Sequence, residues 1–134
     1  MIILEEQSSL IFRPDRLRDT ELLEINRIGH QRPDFPLLRW ILLDLSAVEK
    51  IELTAEGVRQ AARLDAAGYA RNPGLRIALI ASSAVMTGMT NLCRANFEIH
   101  GKDQRWQIEV FTDEHQARAW LVDEASGSAN TSDS

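Results

Sequence analysis

The chain has 134 residues, 44% of them hydrophobic and 26% charged, with a net charge of −5. That length and balance fit one globular domain with a proper core, and the negative charge argues against non-specific nucleic-acid binding, which needs clustered Lys and Arg. A single cysteine, Cys93, excludes an intrachain disulfide and a thiolate metal cluster.

In chain order, residues 2–6 and 9–13 read as two short strands joined by a tight turn at Gln7-Ser8. Met1-Ile2-Ile3-Leu4 is too short an apolar stretch for a signal peptide and runs into Glu5-Glu6. Pro14 ends the second strand, because proline supplies no ladder donor. Thr20 is the expected N-cap of a helix to about Gln31, with Leu22, Ile25, Ile28 and Gly29 on its inner side. Arg32-Pro33-Asp34-Phe35-Pro36 reads as a loop. Trp40-Ile41-Leu42-Leu43 is apolar without alternation, which is how a strand covered on both faces reads. Residues 75–81 and 106–111 repeat that character. Helices are expected over about 54–71, 83–98 and 113–124, the first with Gly57, Val58, Ala61, Leu64 and Gly68 inward. The last has Ala117, Trp120 and Leu121 inward and an Asp113/Gln116 capping box. Strand and helix alternate through this half, which predicts a single α/β domain over residues 1–124, with a mixed, mostly parallel sheet flanked by helices. Residues 125–134 lack large apolar side chains and are expected to form a disordered tail. No apolar run reaches the length of a bilayer span, so a cytoplasmic protein is expected.

Catalytic chemistry is not legible in the chain. His30, His100 and His115 lie at unrelated places, and no Gly-x-Ser-x-Gly surrounds a serine. No catalytic residue, metal or cofactor is expected. Ala81-Ser82-Ser83 stands between a strand and a helix, where free amides could hold an anion; the simpler reading is that Ser83 caps the helix. Met86, Met89 and Phe97 widen the apolar side of the helix at 83–98. They read as core or, alternatively, as the lining of an adaptable apolar cleft.

Asp44-Leu45-Ser46-x-Val48-x-x-Ile51-Glu52 resembles the strand-and-turn signature of STAS domains. The closing Val110-Phe111-x-Asp113-Glu114-x-x-Ala117-x-Ala119-Trp120-Leu121, with Leu22-Leu23 and the Arg32-Pro33-Asp34-Phe35 loop, resembles the bacterial SpoIIAA-like branch, which is linked to the lipid-binding SEC14-like (CRAL-TRIO) fold. The resemblance covers about residues 9–122. It implies a non-catalytic regulatory or protein-interaction module with a protein partner. The alternative it implies is a SEC14-like carrier of a lipid or small apolar molecule. STAS antagonists carry a phosphorylated serine at a helix start. Here that stretch is Glu52-Leu53-Thr54-Ala55-Glu56-Gly57, with leucine where a hydroxyl would stand. Thr54 is the nearest candidate for phosphorylation. Glu52 and Glu56 beside it would repel a phosphate, so Thr54 is expected to act as an N-cap.

Overall fold

The computed structural model describes residues 1–82, 84–85 and 106–123. Five strands form one sheet: β1 (Ile2–Glu6), β2 (Ser9–Arg13), β4 (Trp40–Asp44), β6 (Arg76–Ile80) and β7 (Gln107–Phe111). β1 pairs antiparallel with β2, and the other neighbours in the order β1-β2-β4-β6-β7 are parallel. The β1–β2 hairpin turns through Gln7-Ser8, and Ser8 takes a positive φ of 54° to close it. Two further strands, β3 (Leu17–Arg18) and β5 (Ile51–Glu52), pair parallel in a separate two-residue ribbon.

Three α-helices belong to the described residues: α1 (Asp19–His30), α2 (Ala55–Arg71) and α3 (Glu114–Val122). The sheet is buried on both sides because alternate residues of each central strand face opposite ways. Leu10, Phe12, Leu43 and Leu79 face one layer, completed by Ile25, Phe35, Val48 and Trp106. Ile11, Leu42, Ala78 and Ile80 face the other, closed by Ala117 and Leu121 of α3. The apolar run at residues 40–43 is therefore covered on both faces, and the fold is a single α/β domain with a mostly parallel sheet.

Several local expectations change. Arg18, not Thr20, is the N-cap of α1: its backbone N–H donates to Glu21 Oε1 at 2.9 Å, and its guanidinium pairs with the same carboxylate. Leu64 is 39% exposed, because it lies on the side of α2 that faces away from the sheet. Asp113 accepts from the His115 amide at 2.8 Å, so the cap of α3 closes on N2 rather than through Gln116. Trp120 is half-buried, packed on Phe111 and beneath the Arg76 guanidinium. Residues Phe35–Leu37 tighten the expected loop into a 3-10 turn. The predicted helix at 83–98 and the predicted tail at 125–134 fall outside the described residues, except that 84 and 85 are helical.

α1 and α2 run side by side in the same direction. A Cβ on Gly57 would stand 2.1 Å from Asp19 Oδ1, and one on Gly68 would stand 2.2 Å from His30 Cε1. Gly57 and Gly68 are eleven residues apart, as are Asp19 and His30. Eleven residues make about three helical turns, so both glycines present the same side of α2 to the same side of α1. The end of that contact is clamped by Asn72. Its Nδ2 donates to the carbonyls of Phe35 and Leu38 at 2.8 Å each, and its own carbonyl accepts from Trp106 Nε1 at 2.7 Å.

Candidate functional site

The carboxyl ends of the parallel strands and the helix starts that follow them form one rim of the domain, the usual location of ligand sites in open α/β sheets. The β3–β5 ribbon organises part of it. Pairing Arg18 with Glu52 sets the residue that opens α1 beside the loop that opens α2. Asp19 therefore reaches Thr54, thirty-five residues away. It accepts the Thr54 backbone N–H at 2.9 Å and the Thr54 hydroxyl at 2.5 Å. Thr54 Oγ1 in turn accepts the Gly57 amide at 3.0 Å, one of the donors the first turn leaves open. Thr54 is thus the N-cap of α2, and its hydroxyl is engaged as both donor and acceptor. Asp19 adds a third carboxylate to Glu52 and Glu56 around this position.

A charged cluster begins at the same rim and runs along α3 to the opposite end of the strands, where Glu6 and Trp40 lie. Arg13 at the end of β2 lies 3.4 Å from Asp44 at the end of β4 and 3.2 Å from Glu114 at the start of α3. Arg118 bridges Glu114 and Glu6 at 2.8 and 3.0 Å, over the face of Trp40. Arg118 holds the Glu6 carboxyl below the usual range, chiefly by its hydrogen bond. Every cation here meets a carboxylate, so the cluster ties α3 to the hairpin. Ser82 lies at the end of the next strand, and its hydroxyl accepts the Val85 amide at 3.3 Å, the spacing of a helix cap. Ser83, the expected cap, falls outside the described residues, as do Met86, Met89, Cys93, Phe97 and His100.

The two described histidines stand on opposite sides of the sheet. His30 ends α1, stacked on Phe35 at 4.8 Å with its Nε2 3.6 Å from Asp65. His115 is exposed at the start of α3. Among the described residues, no group of three or more His, Cys, Asp or Glu could hold a metal ion, and no helix is long and apolar enough to cross a membrane.

A second feature was not read from the sequence. On the solvent side of the helix pair, α1 and α2 enclose an open groove of about 900 Å³. Leu23 and Leu64 supply its apolar surface, and Glu24, Arg27 and Arg63 its charges. The α1 residues Thr20, Leu23, Glu24, Arg27, His30 and Gln31 recur at the spacing of one helical stripe, which is the signal that could have found them. The stronger apolar periodicity of Leu22, Ile25 and Ile28 marks a different, inward side and masks that stripe.

Fold and site together define an α/β domain with a helix-lined groove. Comparison with family models, with characterised proteins and with solved structures finds no match.

Proposed function

We propose that the chain is a non-catalytic, STAS-like interaction module that works in the cytoplasm and binds a protein partner in the α1–α2 groove. The observation that carries this reading is the groove's composition. Leucines sit between two parallel helices, with Arg27 and Arg63 outnumbering Glu24 on a chain whose net charge is negative. Such a surface suits an amphipathic helix that lays an apolar side chain between the leucines and turns carboxylates toward the arginines. Arg63 is only loosely engaged, 3.4 Å from Glu56, and both of these side chains are more than half exposed. The resemblance to STAS domains supports a regulatory partner. The saturated Thr54 hydroxyl supports regulation by something other than phosphate at that helix start.

The test uses immobilised full-length chain and extract of the cells that make it. Wild type should retain one protein near stoichiometry, and a Leu64→Glu/Arg63→Glu variant should lose it at an unchanged melting temperature. A partner held equally by both chains would overturn the groove reading. A lipid or other apolar molecule carried by wild type in native mass spectrometry, with no protein retained, would instead favour a SEC14-like carrier.

A further inference from the structure

Among the described residues, the edge strand β1 ends the sheet with three exposed apolar side chains. β1 is the first strand in the order, so among the described residues no strand pairs with its outer side. All five of its residues are exposed: Ile2 by 58%, Ile3 by 40% and Leu4 by 41%. Because alternate side chains point to opposite faces, Ile2 and Leu4 extend the layer that contains Ile11, and Ile3 extends the layer that contains Phe12. Among the described residues, both core layers therefore run out onto β1 without a cover. Edge strands are ordinarily blunted by proline, lysine or a bulge, because their free amides and carbonyls template pairing with another chain. Residues 2–6 contain no proline or lysine, and their pairing with β2 is regular, one residue opposite one. The two glutamates are already engaged within the chain, Glu5 with Arg32 at 2.9 Å and Glu6 with Arg118 at 3.0 Å.

We infer that β1 is a homodimerisation edge, which joins two copies of this chain by antiparallel β1–β1 pairing centred on Leu4. The charges select this arrangement. In parallel, in-register pairing Glu5 would face Glu5 and Glu6 would face Glu6, and like charges directly opposite are destabilising. In the antiparallel register centred on Leu4, Leu4 faces its own copy, Glu5 faces Ile3 and Glu6 faces Ile2. At about 3.4 Å per residue the two Glu5 carboxylates are then offset along the strands by about 7 Å and the two Glu6 carboxylates by about 14 Å. Each stays beside its own arginine. The contact is isologous and closes at two copies, so it extends the sheet without seeding a fibre. Its two-fold axis stands perpendicular to the sheet, and both α1–α2 pairs then lie on the same side. The dimer does not depend on the groove reading; where both hold, the two grooves face a bivalent partner together. A strand of five residues makes a small interface, so the association is weak and concentration-dependent.

Sedimentation velocity of the full chain over a concentration series tests this. Wild type should move from one chain toward two as concentration rises. Leu4→Lys sets two ammonium groups face to face across the axis and should weaken association on the order of tenfold or more. Ile3→Lys sets a lysine opposite Glu5 of the other copy and should leave association intact. Mixing Leu4→Lys with Leu4→Glu chains should restore a dimer that neither forms alone. Wild type that stays a single chain at every concentration would overturn the inference. So would a Leu4→Lys chain that associates like wild type, and loss of association in Ile3→Lys would overturn the antiparallel register.

Discussion

β4 and β1 have nearly the same kind of sequence and opposite surroundings. Trp40-Ile41-Leu42-Leu43 and Ile2-Ile3-Leu4 are both apolar without alternation. Leu42 is fully buried between the two layers, whereas Ile2, Ile3 and Leu4 stand exposed at the edge. An apolar run thus marks a strand whose two faces could be covered. Whether they are covered depends on where the strand falls in the sheet order. In β4 the run is consumed by the chain's own core; in β1 it stays exposed at the edge of the sheet.

The largest expected effect separates these two strands. Leu42→Ala should lose about 2–5 kcal/mol in urea unfolding, because a buried truncation removes contacts and leaves a cavity. Leu4→Ala should stay within about 0.5 kcal/mol of wild type when measured in dilute solution. Equal losses at both positions would mean that β1 is covered within its own chain.

The glycines of the helical layer sharpen the contrast between filled and open positions. Gly68→Ala should cost about 1–3 kcal/mol, since its Cβ would meet His30 Cε1 at 2.2 Å and Trp106 Cη2 at 2.9 Å. Gly29→Ala has no atom within 4 Å of its new Cβ and should gain up to about 1 kcal/mol from helix propensity. Opposite signs in thermal unfolding are the expected result. Two losses would show that the α1 side of the contact is as tight as the α2 side.

At the rim, Thr54→Ala should lose about 0.5–2 kcal/mol through the cap, and Thr54→Ser should keep it. Thr54→Asp should fall below Thr54→Ala at neutral pH, because a new carboxylate would replace a hydroxyl that donates to Asp19. Adding Asp19→Asn should then recover stability in Thr54→Asp alone. Recovery in neither chain would sever the link between these two helix starts.

The smallest effect is a pH dependence at the opposite side of that link. Arg18 holds the Glu21 carboxyl down to about 2, chiefly through their side-chain hydrogen bond. A carboxyl with a depressed folded value contributes stability above its unfolded value and loses it as pH falls toward the folded one. Glu21→Gln should therefore be slightly less stable than wild type at pH 7, and the gap should close between about pH 4.3 and 2. A gap that stays constant with pH would remove the Arg18 pairing from the account.

Much of the fold could be read from the residues, for physical reasons that also explain what escaped. The central strands are runs long enough to carry a period, and α2 announces itself with Thr54 and a stripe of small residues. β3 and β5 have two residues each, too few for any pattern; only their mutual pairing across thirty-four positions defines them. Asp19 escaped for the same reason, since its role depends on Thr54 being brought to it. Leu64 falls within the wide stripe of α2, so the pattern alone puts it inward; the position of α1 decides which margin stays wet. Ser82 stands beside Ser83 where an anion could sit, but its hydroxyl is engaged by the Val85 amide, a contact no residue pattern announces.

Hydrogen exchange resolved by residue, measured at several protein concentrations, tests the contrast between β4 and β1 most directly. The amides of Leu42 and Leu43 should exchange only through global unfolding at every concentration. The outward amides of Ile2–Glu6 should exchange fast in dilute solution and slow down as concentration rises. Amides of β1 that are as slow as those of β4 at all concentrations, or fast at all of them, would contradict the account.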